Sequence, residues 1–322
     1  MPFIDIPMLE SHAKFVPLHD SEPASVREPE HTVRVTDLTR HIRVEDLHSL
    51  VRQYMRIEKT TIAATADQLI RPPTKVMTHP LKGFWEHVSD LNGIAITTAF
   101  KHTTVEDILK NPDERAVWFA EQAARHEAED SGYNFRWLQL RQQRKNRFGW
   151  LIGFLDRAVV RLAGEVTQEG KIAKKDLQHE QELRSWVTIP VPNRDKPEPI
   201  EIVGRADIVF DPKDGSRATI WEIKFVQSFK LEYVAQIVQY GLLWADEHPD
   251  APFPRLLLFN VLDGERWEIS TTKKQALGFV MGMFRAKRAR TKLTDDEFRR
   301  QYEETSDEAQ AIVDRIPQPI KA

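Results

Sequence analysis

The sequence predicts an α/β fold, a mixed central sheet flanked by helices, preceded by an N-terminal, mostly helical region. Three observations carry that expectation. After Gln181 the apolar spacing changes from a helical three-and-four period to alternation. From there the segments run three strands, helix, two strands, helix behind a leading amphipathic helix, an order that builds a mixed sheet with helical layers. Arg255 to Leu262 is also a continuous apolar run of strand length.

The elements follow in chain order. Residues 1 to about 35 mix prolines, acids and short apolar pieces and read as an extended arm. From Val44 to Ile57 the positions Leu47, Leu50, Val51, Tyr54 and Ile57 repeat at the helical period. Pro72-Pro73 interrupts the chain, and Trp85 to Phe100 is mixed in character. Thr103 with Glu106 forms a helix-opening capping box, and Asn111-Pro112-Asp113 ends that helix and starts another running to about Glu129. Two helices are expected between Phe135 and Gly164, the second with Phe148, Leu151, Ile152, Leu155, Val159 and Leu162 on one stripe.

Alternation from Gln181 to Val191 predicts the first strand of the sheet, and Ile200 to Phe210 the second. Asp214-Gly215 supplies a hairpin turn before a third strand, Thr219 to Phe225. Leu231 to Asp246 reads as a helix, Arg255 to Leu262 and Arg266 to Ser270 as strands, and Thr271 to about Leu293 as a long helix. The expected organisation is an N-terminal arm and helical region over 1–110, an α/β domain over 111–293 and a charged tail over 294–322.

Composition narrows the chemistry. At 322 residues, 41% hydrophobic and 30% charged, the chain suits a globular protein able to bury a core. It has no cysteine, so disulfides, thiolate zinc sites and iron–sulfur clusters are excluded, which fits a reducing compartment. The N-terminus lacks a basic segment followed by a long apolar run, and no stretch of 18 consecutive apolar residues occurs. The expectation is therefore no export, no membrane insertion, and a cytoplasmic or nuclear location. A net charge of −3 argues against indiscriminate polyanion binding and directs attention to local basic patches.

The chemistry concentrates on Gly204-Arg205-Ala206-Asp207, then Trp221-Glu222-Ile223-Lys224, then Gln236 to Tyr240. Glu222 and Lys224 are two apart on a strand, so they leave one face while Ile223 enters the apolar layer on the other. Fifteen residues separate Asp207 from Glu222, enough for two strand ends and a hairpin that brings the carboxylates together. Two converging carboxylates repel unless a cation lies between them, and oxygen ligands favour Mg²⁺ or Mn²⁺. Such a cation polarises a phosphate oxygen, and Lys224 is placed to orient a water nucleophile or to stabilise developing charge.

This ordered set resembles the PD-(D/E)XK nuclease superfamily, in its RecB-like branch, over roughly residues 135–293. Asp207 matches the motif aspartate, Glu222-Ile223-Lys224 the E-x-K, and Gln236 with Tyr240 the Q-x-x-x-Y. The resemblance implies a restriction-endonuclease-like core. It implies that Asp207, Glu222 and the main-chain carbonyl of Ile223 hold Mg²⁺ or Mn²⁺, that Lys224 assists the attacking water, and that Gln236 and Tyr240 face the site and DNA. The strand glutamate that often precedes the G-x-x-D strand corresponds to Glu182, or else to Glu180. The E-x-K alone has little force, because Glu169-Gly170-Lys171 repeats it in a polar stretch without a strand. Many members of the branch also carry a histidine ligand on an earlier helix in a Gly-x-x-x-His setting. Here Gly149 to Gly153 offers none, which leaves Asp156, Glu165 or His126 as substitutes.

The expected activity is divalent-metal-dependent hydrolysis of DNA, single- or double-stranded, with exonucleolytic action favoured. The alternative is a catalytically silent nuclease fold that binds nucleic acid or a protein. Arg141, Arg144 and Lys145 share a helical face in an acid-free stretch interleaved with Phe135, Trp137, Phe148 and Trp150, a candidate phosphate track. Arg205, inside the Gly-x-x-Asp segment, is a further candidate DNA contact. A second basic run extends from Lys273 through Lys292, and the N-terminal region is a candidate docking site for a protein partner.

Overall fold

The computed structural model describes residues 32–40, 42–61, 75–79, 84–102, 112–131, 148–167, 171–189, 198–212 and 214–288. The chain divides into two compact units, residues 1–283 and 284–322. In order come β1 (Thr32–Arg34), α1 (Val35–Thr39), α2 (Val44–Tyr54), β2 (Arg56–Thr61), β3 (Lys75–His79), β4 (Phe84–His87) and α3 (Ser89–Lys101). They are followed by α4 (Pro112–Ser131), α5 (Leu155–Val166), a 3-10 turn (Lys174–Asp176), β5 (Leu177–Ile189), β6 (Glu198–Phe210) and β7 (Thr219–Lys224). The described chain ends with α6 (Leu231–Glu247), β8 (Arg255–Asn260), β9 (Glu265–Ser270) and α7 (Lys273–Arg288).

Seven of these strands form one open, mixed sheet. Its order is β1-β6-β7-β8-β9-β2, with β5 on β6 as well, while β3 and β4 form a separate pair. β5 runs antiparallel to β6 along nearly its whole length, so β1 and β7 must share the opposite edge of β6. β1 takes residues 201–203 and β7 takes 208–210, which leaves a fork at 204–207. β7 and β8 are parallel, and each is almost wholly buried, as central strands covered on both faces are.

Helices cover the two faces according to side-chain parity. Trp221, Ile223, Leu257 and Phe259 join a core with Leu91 and Ile96 of α3, Phe119 of α4, and Leu155 and Leu162 of α5. Leu256, of the opposite parity, lies against Gly241 of α6, so α6 forms the other layer, with α1 and α2 packed on it. Strand alternation is broken within β6. Ile208 belongs to the α3–α5 core, whereas a Cβ on Gly204, of the same parity, would meet Tyr240 of α6. The reversal falls within 205–207, opposite Glu180, a non-glycine residue with φ of 50°.

The mixed sheet and the chain order of β5, β6, β7, α6, β8, β9 and α7 agree with the sequence expectation. Among the described residues before 110, β1 pairs with β6 and β2 pairs with β9. The helical period of 44–57 ends at Tyr54, because Arg56 to Thr61 is drawn into antiparallel pairing with β9. Tertiary pairing here overrides a local pattern that is only weakly strand-like. The first sheet strand begins at Leu177 rather than Gln181, and the helix expected at Thr103 lies outside the described residues.

Gly204 is required by close approach. A Cβ there would stand 2.7 Å from Tyr240 Cε1 and 2.7 Å from Val35 Cγ2, closer than packed carbon atoms permit. Gly204→Ala is therefore expected to lower unfolding free energy by about 1–3 kcal/mol through overpacking. Combining it with Tyr240→Ala should cost less than the sum of the single changes, as read from urea denaturation of all three variants.

Candidate active site

The fork between β1 and β7 is where the sequence-predicted residues meet. β6 and β7 stop pairing after Ile208 and Trp221, and the side chain of Asp207 takes over from the ladder. Its Oδ2 accepts the Ile223 backbone N–H at 2.7 Å. The N–H and C=O of a strand residue leave by the same edge, so the Ile223 carbonyl also lies on the edge that faces β6.

Glu222 and Lys224 emerge together on the α6 face. Lys224 Nζ pairs with Glu222 Oε1 at 2.5 Å, and the ammonium stands 5.0 Å from the ring centre of Tyr233. Glu222 is 3% exposed, so its charge is held in a place that compensates it only on one side. Its Oε2 is buried without a hydrogen-bond partner, as is Oε1 of Gln236 on α6. Tyr240, one turn further along α6, is buried over Gly204.

Electrostatics reflect the crowding. Burial, reinforced by the Glu222 carboxylate, pushes the Asp207 carboxyl up to about 8, against Lys224 and the Ile223 amide, which pull it down. Burial opposes the Lys224 ammonium, yet the carboxylates of Glu222 and Asp207 outweigh it and raise the Lys224 pKa. Burial and the same two carboxylates hold the Tyr240 hydroxyl well above its ordinary value, fully protonated. The two carboxyls share one lysine, and burial favours the protonated form of Asp207. Replacing that proton by a divalent cation suits this donor set.

The set fits Mg²⁺ or Mn²⁺ on that ground. One carboxylate oxygen is buried and unpaired, burial pushes the second carboxyl up to about 8, and a carbonyl lies on the same edge. Both ions accept few protein ligands and keep several waters. No group of three or more His, Cys, Asp or Glu side chains with metal-holding geometry occurs among the described residues.

Other expected residues fall in varied places. Glu182 pairs across the strands with Arg205, and its exposed carboxylate is held by Arg184. Glu180 sits opposite Asp207 and adds to the upward pressure on that carboxyl. The alternation pattern could not reveal this, because the positive φ of Glu180 has no sequence signature. Arg205 is half-exposed, 4.0 Å from Glu180 Oε2. Of the histidine substitutes, Asp156 pairs with Arg115 at 2.6 Å, and Glu165 lies on the other sheet face, where it accepts from Trp221 Nε1 at 3.3 Å. His126 lies on α4.

Arg141, Arg144 and Lys145 lie outside the described residues. Their aromatic neighbours Phe148 and Trp150 are not a stacking platform: Phe148 is buried and Trp150 Nε1 donates to Asn92 Oδ1 at 3.0 Å. In the second basic run, Lys273 Nζ donates to the Ala245 carbonyl at 2.8 Å, near the end of α6.

Comparison with known protein families gives no match, and comparison with curated proteins gives none. Among solved structures the chain is similar to one described as the crystal structure of SSO0001, at 16% identity over 46% of this chain and 69% of that one. The TM-score is 0.25, so the likeness carries no argument about fold or function. None of the helices described is long and apolar enough to cross a membrane.

The raised Asp207 pKa has a stability consequence. The folded state holds a proton that the unfolded chain releases near 3.8, so this contribution is complete below about pH 4 and is lost as pH rises through about 8. Without metal, the stability difference between wild type and Asp207→Asn should therefore shift against wild type across that window. The slope is bounded by about 1.4 kcal/mol per pH unit for one proton. Urea denaturation of both proteins in chelator from pH 4 to 8.5 measures it.

Proposed function

We propose that this protein is a divalent-metal-dependent nuclease that hydrolyses DNA phosphodiester bonds. The observation that carries the reading is the convergence of Asp207 and Glu222 beside Lys224, with Glu222 Oε2 buried and unpaired. Asp207, Glu222 and the Ile223 carbonyl would hold Mg²⁺ or Mn²⁺, whose contribution is Lewis-acid polarisation of the scissile phosphate and neutralisation of its charge.

The remaining roles belong to the chain. Lys224, paired with Glu222, would position the attacking water and stabilise negative charge developing at phosphorus. Gln236, with its buried Oε1 lacking a partner, sits to orient a polar group of the substrate. Tyr240 stays protonated and keeps the wall of the site closed over Gly204. Exonucleolytic action is the favoured mode, and a protein partner for the N-terminal residues belongs to the same reading.

A silent nuclease-fold module is the second reading. It is favoured by the lack of a three-carboxylate or histidine-containing group among the described residues. Incubation with labelled single- and double-stranded DNA in Mg²⁺ or Mn²⁺ separates the two. Cleavage should be present in wild type and fall about 10²-fold or more in Asp207→Asn, Glu222→Gln and Lys224→Ala. No cleavage, or cleavage indifferent to these changes, overturns the enzymatic reading. Linear and closed-circular substrates report the mode of attack.

A further inference from the structure

A second charged cluster lies on elements the proposed chemistry does not use. α3 ends in Phe100-Lys101-His102, and the turn before β5 carries Lys171, Lys174 and Lys175. Phe100 is their common contact. Its ring centre stands 5.6 Å from that of His179 in β5, and the Lys174 ammonium lies 4.4 Å from the same ring. Two chain segments about 70 residues apart, brought together by tertiary folding, thus present their cations on one surface.

Four of the basic side chains are available. Lys101, His102, Lys171 and Lys175 are exposed, and none has an ion-pair partner among the described residues. From residue 171 to 179 the only acidic side chain is Asp176. His179 registers the crowding: burial, then the charges of Lys101 and Lys174, hold its imidazole down to about 4. A polyanion laid across such a surface gains from releasing its condensed counterions, whereas a single small anion gains far less.

Position selects the polyanion. His179 is followed directly by Glu180, which lies opposite Asp207 across the β5–β6 pair. Among the described strands β5 is bonded on one side only, so the route from cluster to carboxylates passes over an open sheet edge. We propose that Lys101, His102, Lys171 and Lys175 form a phosphate-binding surface that grips the nucleic acid flanking the cleavage site, an inference that rests on the nuclease reading. Its contacts are with the sugar–phosphate backbone and are therefore indifferent to base sequence.

The test is binding in chelator, where cleavage is off. Fluorescence anisotropy of labelled single-stranded and duplex oligonucleotides is followed against NaCl for the full chain and for Lys101→Gln/Lys171→Gln/Lys175→Gln, leaving Lys174 on Phe100. The triple variant should bind more weakly. Its slope of log K against log salt should be shallower by about 2 for single strands and about 3 for duplex, as three lost phosphate contacts require. A control with Arg52, Lys59 and Lys75 changed to Gln, equal in net charge, should keep the wild-type slope. Binding with the wild-type slope in the triple variant, an equal change in the control, or no DNA binding by wild type would each overturn the proposal. Salt-dependent binding that the triple variant loses, without cleavage in Mg²⁺ or Mn²⁺, supports the surface and sinks the nuclease reading instead.

Discussion

The structure turns on one substitution of side chain for backbone, the acceptance of the Ile223 N–H by Asp207. β6 has two partners on one edge, and between them the ladder must open. An open ladder inside a protein leaves backbone donors unsatisfied, at a cost of about 1–3 kcal/mol each. Asp207 meets that demand at the mouth of the fork and so is drawn to within reach of Glu222. The same contact that closes the sheet assembles the carboxylate pair, and burial, reinforced by the repulsion between them, pushes the Asp207 carboxyl up to about 8.

Around the fork, each element constrains a different degree of freedom. Gly204 lets Tyr240 and Val35 close the α6 side. On the opposite face Glu165 accepts from Trp221 Nε1 and lies 3.7 Å from Arg266, while Arg255 and Glu268 form a two-point pair between β8 and β9. Trp221 immediately precedes Glu222, so anchoring its indole fixes the register of the strand that carries the site. Burial raises the pKa of the Glu165 carboxyl, which is the cost of placing this brace inside the core.

Much of this was legible in the sequence, for a physical reason. Alternation and strand length place Glu222 and Lys224 on one face, and a short hairpin limits where Asp207 can lie. The meeting of these three is a local consequence of two consecutive strands. The rest depends on pairing between distant segments. Thr32 to Arg34 is too short to show a period, and Arg56 to Thr61 is polar, so neither announces its place in the sheet. The twist at Glu180 is a dihedral fact without a residue signature, which is why Glu182 rather than Glu180 heads the sequence reading. Glu165 was open as a ligand until the fold set it against Trp221, on the face away from Glu222. The lysines at 101 and 171–175 are distant in sequence, and their proximity depends on the contact of Phe100 with His179 and Lys174.

The central claim is that Asp207 and Glu222 await a divalent cation in place of a proton. Calorimetric titration of Mn²⁺ into the metal-free protein at pH 7, repeated in buffers of different ionisation enthalpy, tests it directly. Binding should release a fraction of a proton approaching one per ion, because Asp207 is protonated at that pH, and both binding and release should vanish in Asp207→Asn. Absence of Mn²⁺ binding, or binding without proton release that survives Asp207→Asn, would contradict it.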